Sequence, residues 1–292
     1  MLGKRAIMPA LISLLMVFTA VCFCTGDVCA ADKGAGTSIK EATVTISPLT
    51  YNGQVQKPVI TLKIGETILI EKTDYTLEFS NPSSINAGKY KVTITGTGDY
   101  TGKLNEQYSI EPKKITPSVT LSAKSFVFSG AEQKPNVTAV KDGDVTIPDS
   151  EYSVSYDPAA CVDVGAYTVT VAFKEKANYA GSTALKYKIN PVGTSLKTPA
   201  RGHKLIKVKW KPQTATMSKS NITGYQIRLA TNKSFTKNKK TVTAKGYSTA
   251  VKKVTKLKGG KKYFIQIRTY MKVDGATCYS KWSKPKTATT RR

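Results

Sequence analysis

The sequence predicts an all-β protein made of tandem β-sandwiches, and three observations support this prediction. Apolar or aromatic residues alternate with polar ones in runs such as "YKVTITG" (90–96) and "YTVTVAF" (167–173), which is the period of a half-buried strand. Thr, Val, Ile and Tyr dominate these runs, and Gly, Asn, Asp and Pro interrupt them every several residues. A long phrase of the chain is also written twice. Short strands with regular turn signals are typical of β-sandwiches.

The first 30 residues are predicted to be a secretory signal peptide. Lys4 and Arg5 form a basic n-region, residues 6–24 are an apolar core, and "VCA" (28–30) provides the small residues of a cleavage site before Ala31. The alternative is an uncleaved anchor, because the apolar run approaches the length that spans a bilayer. The chain ends in "TATTRR", without a second apolar segment. We therefore expect a secreted, extracellular protein, released or associated with the cell surface, with no stable membrane span after cleavage.

The duplicated phrase lies in the first half of the mature chain. "YNGQVQKP" (51–58) returns as "FSGAEQKP" (128–135), and "DYTLEF" (74–79) returns as "EYSVSY" (151–156), both at an offset of 77 residues. The offset later becomes 79, which requires an insertion of two residues in the second copy, between Tyr167 and Tyr179. Matching of this length indicates two copies of one structural unit.

Each copy ends at a proline, in "IEP" (110–112) and "INP" (189–191), where proline stops sheet pairing. With these ends as boundaries, the chain divides into five segments. They are the signal peptide at 1–30, a linker at 31–42, repeat 1 at 43–114, repeat 2 at 115–192 and a third module at 193–292.

The order of these motifs resembles the bacterial immunoglobulin-like repeats of secreted and surface proteins, often grouped as MBG-type, over residues 43–192. The resemblance implies Ig-like sandwiches that serve as spacer or stalk modules. It also implies structural roles for the motif residues: Tyr100 and Tyr179 pack at a strand edge, and Gly88 and Gly165 permit tight turns.

The third module does not repeat the phrase, but it is also written in strands. "KLIKVKW" (204–210), "GYQIRLA" (224–230) and "YFIQIRTY" (263–270) each alternate inward and outward residues. Asp274-Gly275 is a strong hairpin signal, and "YSKWS" (279–283) is expected to begin the last strand. The residues predicted to face inward are Ile206, Val208, Trp210, Tyr225, Ile227, Leu229, Tyr263, Ile265 and Ile267.

This module resembles a fibronectin type III domain. Trp210 matches the core tryptophan of its second strand, and Leu257 with Tyr263 matches the tyrosine corner, in which the hydroxyl bonds to nearby backbone. "YSKWS" resembles the W-S-x-W-S box of some such domains, with Tyr279 in place of the first tryptophan. No R-G-D tripeptide is present, so the adhesion motif of the best-known relatives does not carry over.

The box also implies a stacked arrangement of side chains on this module. Arg228 and Arg268 fall on outward positions of two strands that are neighbours in the fibronectin type III fold. The resemblance places Trp282 across both, with its ring on the guanidinium groups. The alternative is that Trp282 only fills an edge of the core.

Charge distinguishes the third module from the rest of the chain. The segment 193–292 contains 26 Lys or Arg and a single acidic residue, Asp274, so it carries nearly all of the chain's net charge of +26. Scattered lysines usually form a solvated surface that promotes solubility. Their confinement to one module suggests instead an anionic partner.

Catalytic and metal-binding motifs are not recognisable in the sequence. The only histidine, His203, lies in the basic loop "ARGHK" far from any acid or cysteine, which favours a surface role. The acidic group Asp142, Asp144, Asp149 and Glu151 lacks the spacing of a calcium loop, so "KDGD" is interpreted as a hairpin turn. We predict no catalytic, cofactor-binding or metal-ligating residues, no cofactor and no enzymatic activity.

Two cysteines remain after the signal, Cys161 and Cys278, and they fall in different modules. A disulfide requires Cα atoms within about 7 Å of each other, which separate modules rarely provide. We therefore expect two isolated thiols.

Two classes of function remain. In the first, the Ig-like repeats are a spacer and the basic third module adheres to an anionic polymer, such as a wall polymer or a sulfated glycan, or to an extracellular protein. In the second, the chain is an accessory array of carbohydrate- or protein-binding modules that acts beside a separate extracellular enzyme. Specific nucleic-acid binding is not expected. An exposed aromatic platform would favour the second class and salt-sensitive binding the first.

Overall fold

The computed structural model describes residues 36–217 and 220–292, and the predicted signal peptide at 1–30 lies outside them. Within the described residues, the regular structure consists of β-strands and two 3-10 turns, Ile39–Glu41 and Asp149–Glu151. The prediction of an all-β chain of tandem sandwiches is therefore confirmed. No helix within these two ranges is long and apolar enough to span a membrane.

The first sandwich is formed by residues 37–111. Its strands are β1 (Thr37–Ser38), β2 (Thr43–Ile46), β3 (Leu49–Thr50), β4 (Ile60–Ile64), β5 (Thr67–Ile68), β6 (Tyr75–Phe79), β7 (Gly88–Gly96), β8 (Tyr100–Thr101) and β9 (Lys103–Glu111). One sheet has the order β2-β4-β5 and the other β3-β9-β7-β6. Leu62, Ile94 and Ile110 are buried between the two sheets. Ile39 falls within the predicted linker, yet its side chain is fully buried in the same core.

The second sandwich repeats this plan. Its strands are β10 (Lys113–Lys114), β11 (Ser118–Leu121), β12 (Ser125–Val127), β13 (Val137–Asp142), β14 (Val145–Thr146), β15 (Tyr152–Asp157), β16 (Gly165–Phe173), β17 (Tyr179–Ala180) and β18 (Ser182–Asn190). The orders β11-β13-β14 and β12-β18-β16-β15 match those of the first sandwich strand for strand. The inserted residues lie between β16 and β17, which are two residues further apart than β7 and β8. Pro112 and Pro191 directly follow β9 and β18, as predicted.

The glycines of the repeated G-x-Y motif are not in tight turns, contrary to our prediction. Gly88 and Gly165 are the first residues of the long strands β7 and β16 and pair there with Ile110 and Ile189. The tyrosine two residues later lies on the same face of the strand. A Cβ at Gly165 would lie 3.6 Å from the ring of Tyr167, an ordinary van der Waals distance, so the glycine and this ring are direct neighbours on the strand.

The tyrosine of the same motif is hydrogen-bonded to the loop that precedes its strand. The hydroxyl of Tyr90 donates a hydrogen bond to the backbone oxygen of Asn86, and that of Tyr167 donates to Asp163, both at 2.7 Å. The other tyrosine of each repeat lies in a two-residue strand: Tyr100 is half-buried in β8, and Tyr179 is buried in β17. These residues therefore have structural roles in both copies.

The third sandwich has a different set of strands. They are β19 (Ala200–Gly202), β20 (Leu205–Lys209), β21 (Gly224–Ala230), β22 (Lys240–Lys245), β23 (Val251–Val254), β24 (Lys262–Val273), β25 (Ala276–Tyr279) and β26 (Lys286–Thr289). One sheet has the order β19-β20-β23 and the other β22-β21-β24-β25, with β26 also paired to β24. All nine residues predicted to face inward are buried.

Two local predictions for this sandwich have different outcomes. Asp274 and Gly275 form the β24–β25 hairpin, both with positive φ, as the sequence predicted. The "YSKWS" segment does not begin the last strand: Tyr279 ends β25, and β26 starts only at Lys286. Isolated hydrogen bonds from the N–H of Ser280 and Ser283 to Thr269 and Ile267 hold the segment irregularly along β24.

The repeated phrase places an aromatic residue at the junction with the next module. Tyr51 packs in the core of the first sandwich and lies edge-on to Tyr179 of the second, with 5.3 Å between ring centroids. Phe128, its counterpart, packs against the cores of the second and third sandwiches. Each copy of the phrase thus supplies a contact to the module that follows.

Polar contacts also cross the first junction. The amide oxygen of Asn178 accepts from the backbone N–H of Ala87 at 2.8 Å, and its amide nitrogen donates to the side-chain oxygen of Asn86 at 3.2 Å. At the second junction, Val164 is buried in the core of the third sandwich, and the hydroxyl of Thr269 donates to the backbone oxygen of Val192 at 2.8 Å. Both junctions are therefore packed and hydrogen-bonded.

Candidate functional site

The third sandwich carries its charge without compensation. The ion pairs of the described residues are Lys63–Glu66, Lys113–Asp142 and Lys134–Glu132, all within the two repeats. Between residues 193 and 292, the single acid Asp274 lies in the exposed β24–β25 hairpin. The basic side chains of this module therefore have no described carboxylate to neutralise them.

The two ends of the third sandwich differ in what they contact. Strand β24 runs from Lys262 at one end to Val273 at the other, a length of about 36 Å at roughly 3.3 Å per residue. The end near Val273 faces the second sandwich, since β25 lies against β16 and β18. The end near Lys262 lies away from that junction, and it carries the loops between β19 and β20, β21 and β22, and β23 and β24.

Six of the exposed basic side chains at the end away from the junction come from segments that backbone hydrogen bonds join, and we refer to these six as the basic cluster. They come from the β19–β20 turn, the β23–β24 turn and the residues after β26. The members are Lys204, Lys256, Lys258, Lys261, Arg291 and Arg292.

Two buried hydroxyl groups form hydrogen bonds to the backbone of the β23–β24 turn on its core side. The Tyr263 hydroxyl accepts from the backbone N–H of Lys258 at 3.0 Å, which confirms the predicted tyrosine corner. The Thr290 hydroxyl donates to the backbone oxygen of Lys258 at 2.6 Å and accepts from the N–H of Lys261 at 3.1 Å. Tyr263 and Thr290 are 2% and 3% exposed, so the basic side chains project from a backbone that is fixed on its inner side.

Backbone contacts bring the other members beside this turn. The N–H of Leu257 donates to the oxygen of Lys204 at 3.0 Å, and the N–H of Arg291 donates to the oxygen of Gly202 at 2.9 Å. A Cβ at Gly260 would lie only 3.2 Å from Cγ of Arg292, so this glycine allows Arg292 to lie across the turn. The sequence could not reveal this grouping, because Lys204 and Arg291 are far apart in the chain.

A second set of lysines lies on the outer face of the three-stranded sheet. Lys207 and Lys253 are direct cross-strand partners, and Lys209 lies two residues along β20 on the same face. Like charges directly opposite each other destabilise a sheet. Their placement adds to the positive potential of the module rather than to its stability.

The opposite sheet carries the predicted stack of Trp282 on two arginines. The guanidinium carbons of Arg228 and Arg268 lie 4.3 Å and 4.4 Å from the ring centroid of Trp282, which confirms the prediction. Phe235 and Tyr279 extend the stack, at 4.4 Å from Arg228 and 3.8 Å from Arg268. Phe235 lies in the β21–β22 loop, and no motif in the sequence indicated its place in the stack.

Glutamines complete this arrangement. The side-chain oxygen of Gln266 accepts from Nε and Nη2 of Arg228 at 2.9 and 2.6 Å, and that of Gln226 accepts from the same atoms of Arg268 at 2.8 and 2.6 Å. Burial lowers the pKa of both arginines below the usual arginine value. The two guanidinium groups are thus occupied by neighbours within the sheet, and the stack is a structural feature.

The histidine and acidic residues that were examined as catalytic or metal-binding candidates do not come together in one site. His203 is exposed and pairs by a backbone bridge with Arg291. Asp142 pairs with Lys113 and ends β13, where the "KDGD" segment forms the predicted hairpin to β14, and Glu151 accepts from the N–H of Asn178 at 2.6 Å. Within the two described ranges, no group of three or more His, Cys, Asp or Glu side chains could hold a metal ion.

The two cysteines are both free, as expected. Cys161 is buried in the second sandwich and Cys278 in the third. Burial raises the pKa of the Cys278 thiol above its usual value, so it stays protonated at neutral pH.

No protein-family model and no curated protein matches the chain. Among solved structures, the FN1–FN3 domains of chicken CNTN1 are 14% identical, with 86% of this chain and 98% of that chain covered and a TM-score of 0.30. Titin domains A168–A170 are 13% identical, with 86% and 98% covered and a TM-score of 0.27. A myokine structure is 12% identical, with 35% and 99% covered and a TM-score of 0.28. The division into Ig-like and fibronectin-like sandwiches therefore rests on the sheet topology and the tyrosine corner of this chain.

Proposed function

We propose that this chain is a non-enzymatic, secreted or cell-surface modular protein, in which two Ig-like sandwiches act as a spacer for a basic fibronectin type III module. That module adheres to anionic polymers, such as phosphate-bearing wall polymers or sulfated glycans. Tandem sandwiches are a modular scaffold, and the binding function lies in the site that the terminal sandwich carries.

The observation that carries the proposal is the charge of the third sandwich. It has 26 Lys or Arg and one acid, whereas residues 1–192 have 19 Lys or Arg and 18 acids. Charge that serves only solubility is expected to be distributed over the whole surface and not confined to one module. Uncompensated charge also destabilises a compact fold by self-repulsion. An anionic ligand removes that repulsion when it binds.

The composition of the charge suggests the class of ligand. Of the 26 basic residues, 21 are lysines, and two of the five arginines are occupied by the stack with Trp282. Lysine is a flexible point charge, whereas arginine provides the planar fork that recognises one phosphate or carboxylate group bidentately. We therefore expect broad specificity for polyanions, and nucleic acid is only one incidental polyanion among them.

The two junctions support the role of the repeats. Tyr51 and Phe128 each pack across a junction, and Asn178 is hydrogen-bonded to the preceding repeat. Such contacts favour a defined arrangement of neighbouring modules, which supports a spacer role for the two repeats.

The alternative of a neutral-carbohydrate module depends on exposed aromatic surface. Among the described residues of 193–292, Tyr247 is the exposed aromatic side chain, and its backbone oxygen accepts from the hydroxyl of the buried Tyr225. Trp282, the aromatic residue that the box motif highlights, is in contact with two guanidinium groups. This distribution favours the anionic-polymer function.

The test measures binding of the full chain to a phosphate polymer, a sulfated glycan and a neutral glycan at about 50 and 200 mM salt. With 6–10 contacts to the polymer, affinity for the two polyanions should fall by about 10³–10⁵ over this range, as it does for phosphate contacts to DNA. The control variant replaces Lys89, Lys91, Lys103 and Lys186 of the repeats by Gln, and it should bind as the wild type does. Salt-independent binding to the neutral glycan would support the accessory-module alternative and contradict the proposal.

The export of the chain is tested separately. Protein recovered outside the cells should begin at Ala31, as determined by N-terminal sequencing. Recovery of the intact N-terminus in the membrane fraction would instead support an uncleaved anchor.

A further inference from the structure

We propose that the polyanion binds at the basic cluster, at the end of the third sandwich away from the junction, rather than over the whole basic surface. This inference rests on the proposed function and assigns its site. The cluster consists of Lys204, Lys256, Lys258, Lys261, Arg291 and Arg292.

Convergence from three chain segments distinguishes the cluster from the other lysines. Lys204 and Lys256 both have positive φ, at 49° and 56°, a conformation uncommon for residues other than glycine. The hydrogen bond between the N–H of Leu257 and the oxygen of Lys204 joins their two turns, and the chain after β26 lies beside both. Two of the basic residues of the cluster therefore have an uncommon backbone conformation at the place where the turns meet.

The cluster is also fixed in position. Tyr263 and Thr290 hold the backbone of Lys258 and Lys261 through hydrogen bonds of 2.6 to 3.1 Å. A ligand that binds there does not have to order the turn, and a preorganised site loses less free energy on binding. Lysine carries its charge on a flexible stem, which suits a polymer of repeated anionic groups better than one small anion.

Accessibility favours the same end. The junction end of the third sandwich lies against the second, where Val164 is buried in the core of the third sandwich and Val192 is bonded to Thr269. A long polymer can pass across the basic cluster without meeting the repeats, because about 36 Å of β24 separates the two ends at roughly 3.3 Å per residue. The cluster then lies on the side of the third sandwich that faces away from the two repeats.

The sheet-face lysines are a weaker candidate. Lys207, Lys209 and Lys253 lie on a regular strand surface, and they come from only two strands. They strengthen the positive field that attracts a polyanion. We assign them this long-range role and not direct contact.

The experiment compares two variants of the full chain, because Phe128 and Val164 of the second sandwich contribute to the core of the third. In the cluster variant, Lys204, Lys256, Lys258 and Lys261 are replaced by Gln. In the control variant, four exposed lysines at or near the junction end, Lys211, Lys245, Lys272 and Lys281, are replaced by Gln. Both variants lose four charges, and the backbone hydrogen bonds of the cluster are preserved.

Binding is measured on inorganic polyphosphate and on a sulfated glycan over a range of salt concentrations. The slope of log K against log salt should fall by about 3 in the cluster variant, at about 0.7 for each lost contact, and by less than about 1 in the control. Equal losses in the two variants would overturn the assigned site and leave the proposed function intact. Absence of binding by the wild-type chain would overturn both. The two polymers distinguish phosphate from sulfate as the preferred group.

A second measurement does not depend on the folding of any variant. Lysines of the wild-type chain are acetylated with and without polyphosphate, and the modified positions are identified by mass spectrometry. Lys256, Lys258 and Lys261 should be protected, and Lys245 and Lys272 should react as before. Uniform protection of all exposed lysines would contradict the assigned site.

Discussion

The hydroxyl oxygen of Tyr263 lies 3.0 Å from the backbone nitrogen of Lys258, and this contact joins the core of the third sandwich to its most basic turn. Tyr263 is buried and Lys258 is exposed, so one hydrogen bond connects a stability element to the proposed binding surface. Thr290 holds the same turn independently. The two supports can therefore be separated by mutation.

Tyr263→Phe removes the hydroxyl and keeps the ring. The free energy of unfolding should fall by about 0.5–1.5 kcal/mol, the usual net value of one hydrogen bond. Polyanion binding should change by less than about threefold, or roughly 0.7 kcal/mol, because every charge remains and Thr290 still holds the turn. Urea unfolding and the binding assay measure the two effects. A large loss of binding with unchanged stability would contradict the structural role of this hydroxyl.

Trp210→Ala tests the core of the same sandwich. Trp210 is fully buried between the sheets and lies 5.0 Å from Tyr225, measured between ring centroids. Truncation should cost about 3–5 kcal/mol, as for other large-to-small core changes. In a Trp282→Phe background, the remaining Trp210 fluorescence should resist iodide quenching in the folded protein. Free quenching would show that Trp210 is not in the core.

Trp282→Ala tests the stack on Arg228 and Arg268. Loss of both guanidinium contacts should reduce stability by about 1–2 kcal/mol, at roughly 0.5–1 kcal/mol for each contact. Binding of polyanions should be nearly unchanged, because the stack lies outside the basic cluster. Tyr247→Ala, which removes an exposed aromatic side chain, is the control and should leave stability nearly unchanged. Loss of neutral-glycan binding in the Trp282 variant would instead revive the accessory-module alternative.

The fold was predictable because its signals are local and repeated. All nine residues that strand periodicity assigned to the interior of the third sandwich are buried, and the duplication predicted two similar sandwiches, whose strand orders match. Core residues outside the three alternating runs, such as Met217 and Ile222, were not predicted. The "YSKWS" motif correctly placed Trp282 on two arginines. These features depend on residues that are close in sequence or on a motif with fixed neighbours.

The predictions that failed depended on tertiary context. Gly88 and Gly165 were assigned to turns from residue type, but both pair with the neighbouring long strand of their sheet as the first residues of β7 and β16. The "YSKWS" segment was assigned to a strand, but the stacking of Trp282 and the isolated bonds to β24 keep it irregular. The basic cluster itself was not predictable, since Lys204 and Arg291 meet only after the sandwich closes.

Buried and half-buried tyrosines should limit stability at alkaline pH. Burial is the main cause that raises the pKa of seven of them above 10, because it disfavours the phenolate: Tyr75, Tyr152, Tyr156, Tyr167, Tyr179, Tyr187 and Tyr225. The unfolded chain releases these protons near pH 10, before the folded chain does. Stability from these groups is therefore fully present below about pH 10 and falls as the pH rises above it.

This prediction is measured by urea unfolding at about pH 8 and pH 11, with phenolate absorbance recorded in parallel. The urea midpoint should be lower at the higher pH, and Tyr187→Phe should reduce the difference. Phenolate formation by all tyrosines near pH 10 in a chain that remains folded would contradict it.

The most direct test of polyanion binding by the third sandwich is a residue-level map of the contact on the intact chain. Backbone amide resonances of the full chain are recorded during titration with a short linear polyphosphate at low salt and again at high salt. We predict shifts concentrated at residues 203–205, 256–262 and 290–292, with little change in the repeats, and their disappearance at high salt. Shifts centred on the repeats or on the Trp282 stack, or shifts that persist at high salt, would contradict the account.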